Sequence, residues 1–193
     1  MSAVDPRAEV RRKPQRAAYD ADAVHAVLDE ALVCHLGFVV DGQPFVIPTT
    51  FARRGDELLV HGSPASRMLK HFDGTAEACL TVTILDGLVL AKSAFNHSMN
   101  YRSVVCFGRP VVIEGHDDKV AALDAITDRL APGRRGSLRP MTDKEVGATT
   151  VLSMPIAAAS LKSRSGPSGD TEDWDVWTGV IPYALVPGDP IPD

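Results

Sequence analysis

Leu32-Val33-Cys34-His35-Leu36-Gly37-Phe38-Val39-Val40, then Asp41-Gly42, then Gln43-Pro44-Phe45-Val46-Ile47-Pro48-Thr49-Thr50-Phe51-Ala52 is the stretch whose reading decides the fold. Its first segment is mostly apolar and turns β-branched toward its end. It runs into an Asx-Gly pair, the strongest short-range signal for a two-residue hairpin turn. The segment after the turn reads as the returning strand. Pro44 and Pro48 cannot donate to a strand ladder, so this strand carries a free edge or a bulge. Gly55-Asp56 marks another turn, and Glu57 to His61 predicts a third strand.

The same pattern continues outward. From Glu77 to Leu85, Ala78, Leu80, Val82 and Ile84 face one way while Cys79, Thr81 and Thr83 face the other. Asp86-Gly87 reads as a further turn, with Leu88 to Phe95 and Ser103 to Glu114 as strands beyond it. Thr150 to Leu161 and Val176 to Val186 predict the closing strands, and Ser163 to Asp173 an acidic Gly/Pro/Ser loop between them. Helices are few. Asp20 or Asp22 caps a short one carrying Val24, Val27, Leu28 and Ala31 on one face. A second spans Asp117 to Ala131, with Val120, Leu123, Ile126 or Thr127, and Leu130 as its buried stripe, and stops at Pro132-Gly133. Thr142 to Glu145 has capping-box form. The sum is about seven or eight strands with two or three helices. There is no βαβ rhythm, so a mainly-β antiparallel meander or barrel is expected in place of a doubly wound sheet. Residues 1–19 read as a polar arm and 20–193 as a single domain.

Composition narrows the function. Of 193 residues, 45% are hydrophobic and 23% charged, and the net charge is −5, which disfavours nucleic acid or an anionic membrane as main partner. Cys34, Cys79 and Cys106 lie far apart in apolar runs and read as small buried hydrophobes in a reducing, cytoplasmic compartment. The N-terminus has no signal-peptide pattern, and no segment reaches the roughly 20 apolar residues of a membrane helix.

Three segments carry chemistry. In His61-Gly62-Ser63-Pro64-Ala65-Ser66-Arg67-Met68-Leu69-Lys70, Gly62 permits close approach of a ligand, Ser63 suits an N-cap and Pro64 the first helical position. Ser66 and Arg67 then fall in a first turn whose N–H groups are unpaired, an arrangement suited to a phosphate monoester. The segment reads equally as an ordinary capped surface helix. Val46-Ile47-Pro48-Thr49 offers a free strand edge for a flat, polar-rimmed heterocycle, or simply an edge protected by proline. Ser93 to Val104 is a polar loop in which Tyr101 can stack on a ring and Arg102 can pair with an anion. Trp174 and Trp177 are expected to seal the barrel. The histidines and cysteines lack metal-site spacing, no nucleophile elbow is present, and neither GxGxxG nor GxxxxGK[ST] occurs.

Taken in order, these segments resemble the pyridoxamine 5′-phosphate oxidase-like, nitroimidazole-resistance-related flavin-binding proteins. The resemblance rests on Arg12-Lys13-Pro14 with Arg16 to Asp20, Leu32 to Phe38, Gly42 to Thr49, His61 to Ser63 with Ser66-Arg67, Ser98 to Val104, and Trp177 to Pro182. It implies a six-stranded antiparallel split β-barrel with FMN at a homodimer interface. By matching position, it implies that Ser66 and Arg67 hold the FMN phosphate, with Ser63 beside them. Met68 stands where relatives often place a lysine. Val46, Ile47, Pro48 and Thr49 would line the isoalloxazine, and His61 and Gly62 would lie beside the ribityl chain or ring. Tyr101, Arg102 and Ser103 would approach from the second subunit. The activity implied is oxidation or reduction of a small molecule, with NAD(P)H a donor and His61 the best acid–base candidate. The alternatives are a non-catalytic flavin carrier or sensor, a deazaflavin in place of FMN, or a haem held by His61, His71 or His97.

Overall fold

The computed structural model describes residues 4–192. Its strands are β1 (Ala17–Ala18), β2 (Val33–Val40), β3 (Gln43–Arg54), β4 (Glu57–Gly62), β5 (Ala78–Leu90), β6 (Ser98–Gly108), β7 (Val111–Val112), β8 (Thr150–Pro155), β9 (Ala158–Arg164) and β10 (Gly179–Pro182). Its helices are α1 (Ala21–Glu30), α2 (Arg67–His71), α3 (His116–Leu130) and α4 (Asp143–Gly147). Every strand pair is antiparallel, in the order β1-β9-β6-β5-β2-β3-β4-β8-β7, with β10 added to β5. The fold is the expected mainly-β split barrel, built as an open curled sheet. It has more strands than the sequence pattern counted, because two-residue pairings such as β1 and β7 leave no periodicity to read.

The decisive hairpin forms as read. Asp41 and Gly42 both hold positive φ, 49° and 78°, which a two-residue turn between twisted strands requires. Val40 therefore pairs with Gln43 and Phe38 with Phe45. Alternation then places Cys34, Leu36 and Phe38 inward with Leu80, Val82, Val104 and Cys106, against Val24, Val27 and Leu28 of α1 and Met68 and Leu69 of α2. On the opposite face of the sheet, Ala52, Leu59 and Val151 pack on Ala122, Leu123 and Ile126 of α3. Burial raises the thiol pKa of Cys34 and of Cys106 to about 12, so both behave as apolar side chains.

Four expectations are corrected. Asp86-Gly87 is a β-bulge inside the continuous β5, not a turn. A Cβ on Gly87 would stand 2.8 Å from the Ile181 carbonyl oxygen, so the glycine is there to let β10 approach. The helix after β4 starts at Arg67 rather than Pro64. Ser63 spends itself on a local turn: its hydroxyl accepts from Ala65 N–H at 3.2 Å and its carbonyl from Ser66 N–H at 2.9 Å. On α3 the buried set is Ala122, Leu123 and Ile126, and Leu130 is exposed. Only Gly179–Pro182 of the Val176 to Val186 segment is a strand, and Trp174 and Trp177 are 68% and 62% exposed, so they seal nothing within the chain. The polar arm also meets the sheet at its end, where β1 pairs with β9, and Ala8 within it is buried.

Candidate functional site: the cleft between β3 and β4

The sheet opens at one place. β3 pairs with β4 only from Phe51↔Val60 to Arg54↔Glu57. Beyond that point β4 stays with β8 (His61↔Val151, Gly62↔Thr150) while β3 stays with β2. The far edge of β3 from Gln43 to Thr50 is thus left without a strand partner, and among the described residues no other backbone hydrogen bond reaches it. Val46, Ile47, Pro48 and Thr49 lie on this edge, with Val46 63% exposed. Pro44 and Pro48 thin out the donors, which keeps the open edge from templating another strand.

Across the cleft stands the end of β4. His61 is half-buried, and its Nδ1 is fully buried with no hydrogen-bond partner, the one such side-chain atom among the described residues. Burial lowers its pKa, so the imidazole is held neutral. A Cβ on Gly62 would lie 3.1 Å from Leu69 Cδ1, so glycine lets α2 pack tightly under the turn. Arg67 is exposed at the first position of α2, and its guanidinium lies over the Phe45 ring, 5.0 Å from the centroid. It forms no ion pair among the described residues, so its charge is available to an anion. The fold therefore gathers Val46, Ile47, Pro48, Thr49, His61, Gly62, Ser63, Ser66 and Arg67 around one opening.

Four expected residues are not gathered there. Met68 is 6% exposed and belongs to the core, because its position on α2 points to the barrel interior. Arg102 is committed elsewhere, pairing with Glu30 and, at 2.7 Å, with Asp86. Those carboxylates push its pKa up, and its guanidinium in turn pulls the Glu30 pKa down. Tyr101 and Ser103 sit on β6, separated from β3 by β5 and β2, and the Ser103 hydroxyl donates to the Lys162 carbonyl at 3.3 Å. Within a single chain they do not reach the cleft.

Near the opening, sequence reading missed an aromatic group. Phe38 stacks on Phe45 with centroids 5.6 Å apart, and His71 lies 5.4 Å from Phe38 and 5.2 Å from Phe72. The signal was present, since a two-residue turn at Asp41-Gly42 makes Phe38 and Phe45 opposite partners. His71 is half-buried and makes no hydrogen bond or ion pair among the described residues.

The sequence pattern of the family described as pyridoxamine 5′-phosphate oxidase matches residues 20–163. Among solved structures, the flavocytochrome Anf3 from Azotobacter vinelandii is 42% identical, with 97% of this chain and 90% of that one covered and a TM-score of 0.88. The FAD- and haem-binding protein from Mycobacterium smegmatis is 37% identical over 92% of this chain and 89% of that one, also with a TM-score of 0.88. A candidate 5-nitroimidazole antibiotic resistance protein from Bacteroides thetaiotaomicron is 23% identical over 76% of this chain and 85% of that one, with a TM-score of 0.63, and shares the fold. No curated protein sequence matches the chain.

Proposed function

The chain belongs to the pyridoxamine 5′-phosphate oxidase family, and on that footing we propose that it binds a flavin nucleotide in the β3–β4 cleft and works as a flavin-dependent oxidoreductase on a small molecule. The observation that carries the proposal is the unpaired β3 edge across from the end of β4, with the uncompensated Arg67 at the mouth. These features suit a planar ring with polar edges and a phosphate tail. Val46 N–H and C=O and the Pro48 carbonyl would meet the ring edge, with Ile47 and Thr49 flanking them, and Ser66 and Arg67 would hold the phosphate.

A bound flavin supplies the hydride- and electron-transfer chemistry. The chain's own work is to bind it, orient it and keep a neutral imidazole beside it. The ring and ribityl phosphate are common to FMN and FAD, so the same contacts serve either; the 37% identical relative supports FAD. Met68 and Arg102 are left out of the contact set, the first by burial and the second by its carboxylate partners. Tyr101 and Ser103 would come from the second subunit of a homodimer. Free cysteines suit a reducing cytoplasm, and among the described residues no helix is long and apolar enough to cross a membrane.

The test is the absorption spectrum of the purified chain, with mass analysis of whatever it releases. A flavin spectrum with an FMN or FAD mass is expected, together with at least a tenfold loss of flavin retention in Arg67→Gln. A colourless protein that also fails to take up added FMN and FAD would overturn the proposal. Reduction by NAD(P)H without air, then turnover with an acceptor, separates an oxidoreductase from a carrier.

A second group is supported by His71. Its imidazole is half-buried between Phe38 and Phe72 with no polar partner, a setting in which a ring nitrogen can serve as a haem ligand. His97 is less suited, because its Nδ1 lies 2.7 Å from the Ser93 carbonyl oxygen. We propose that the chain also takes haem, as the 37% identical FAD- and haem-binding relative supports. A Soret band that His71→Ala removes, while flavin is retained, is the expected result.

A further inference from the structure

Four cationic side chains meet where the N-terminal segment crosses the sheet. Arg12, Lys13 and Arg16 precede β1, and Arg164 ends β9. With Phe95 and His97 they border a cavity of about 430 Å³; Arg16 and Arg164 also border an adjoining one of about 420 Å³. None of Arg12, Lys13 or Arg16 forms an ion pair among the described residues, in a chain whose net charge is −5. Arg164 donates to the Asn100 side-chain oxygen and to the carbonyls of Gly166 (3.0 Å) and Pro167 (2.8 Å), all neutral acceptors, so its position is fixed and its charge is not cancelled. Asp170, next to the bordering Gly169, keeps its charge, because its carboxylate accepts only from the neutral Lys92 N–H and Asn96 amide, each at 3.1 Å, but among the described residues it forms no ion pair with any of the four cations. Like charges gathered without a counter-ion repel one another, and an anion relieves that repulsion.

The cavity is not only cationic. Phe95, on the loop before β6, is 95% exposed, and its ring stands at the rim. A planar apolar ring beside an arginine cluster matches a ligand with a flat base at one end and phosphates at the other. The volume falls within the roughly 300–1,000 Å³ of small-molecule sites.

We propose that this cavity is a nucleotide site, in which Arg12, Lys13, Arg16 and Arg164 hold a diphosphate and Phe95 stacks on the base. It shares no bordering residue with the β3–β4 cleft; a dinucleotide-donor occupant stands apart from the flavin reading, while an FAD occupant rests on it. Arginine forks bind phosphate oxygens in pairs, so affinity comes from the phosphates and falls with salt. The diphosphate can belong to a dinucleotide electron donor or to the ADP half of FAD.

Calorimetric titration of the full-length protein with ADP, adenosine and inorganic phosphate tests the assignment. ADP is expected to bind saturably and adenosine at least tenfold more weakly. Arg12→Gln with Arg16→Gln should raise the ADP dissociation constant at least tenfold, and Phe95→Ala should weaken ADP while leaving inorganic phosphate unchanged. Should the double variant unfold, the exposed single variants Arg12→Gln and Lys13→Gln, each read against salt, give the same test. Arg67→Gln should leave ADP binding intact. Competition by NADH identifies a dinucleotide donor, and competition by FAD alone identifies the ADP half of FAD; either outcome supports the site. Equal affinity for ADP and adenosine, arginine variants that bind as the parent does, or loss of ADP binding in Arg67→Gln would overturn it.

Discussion

At the scale of the residue, His61 has the least satisfied chemistry in the described chain, with a buried Nδ1 and no partner. Burial lowers its folded pKa below the ordinary value near 6.5. The unfolded chain therefore takes up its proton first as pH falls, and stability drops until the folded imidazole also protonates. His61→Asn should flatten the decline in melting temperature between about pH 7 and about pH 5; an unchanged slope would show that His61 does not carry it. Arg102 presents the opposite case, with its guanidinium gripped by Glu30 and Asp86. Those groups are partly exposed, so solvent screens them, and Arg102→Gln should cost only about 1 kcal/mol in urea unfolding, shrinking at high salt. A loss independent of salt would point to packing instead. Sequence reading singled out both residues. It could not see that Arg102 was already occupied, because Glu30 and Asp86 lie on α1 and β5, far away in sequence.

At the scale of the element, boundaries depended on local competition that composition does not reveal. Ser63-Pro64 looks like the start of a helix, yet the Ser63 hydroxyl and carbonyl close a turn and the helix begins at Arg67. Asp86-Gly87 looks like a turn, yet neighbours on both edges of β5 hold the strand straight through it. Gly87→Ala tests that account. Its methyl group would meet the Ile181 carbonyl and Val180 Cγ1, so β10 must shift. The expected cost is about 1–3 kcal/mol, with faster proteolysis in the 174–186 segment than in the parent. Loss of stability without new cleavage there would mean that β10 stays docked. Thr142 shows the reverse: its capping box with Glu145 forms as the sequence indicates, because both partners lie within one turn.

At the scale of the whole molecule, an apolar surface remains uncovered. Val33 and Val39 on β2, Val46 on β3 and Leu85 on β5 are all exposed. Exposed apolar side chains gathered on one sheet mark an interface, in keeping with the proposed homodimer. Sedimentation should give twice the mass of one chain, and Val39→Lys with Leu85→Lys should give the single-chain mass without lowering the melting temperature of the dilute monomer. A parent chain that sediments as a monomer at high concentration would remove the dimer, and with it the contribution of Tyr101 and Ser103 to the cleft.

The sequence by itself determined the class of fold and the decisive hairpin. Those depend on side-chain period, turn chemistry and proline, which act over a few residues. Only the tertiary structure decided that β3 and β4 part company at Phe51 and Val60, that Met68 turns inward while Arg67 reaches Phe45, and that Arg164 joins Arg12, Lys13 and Arg16. Each of these is a meeting of segments distant along the chain. Local preference does not encode such meetings; the packing of the whole core does.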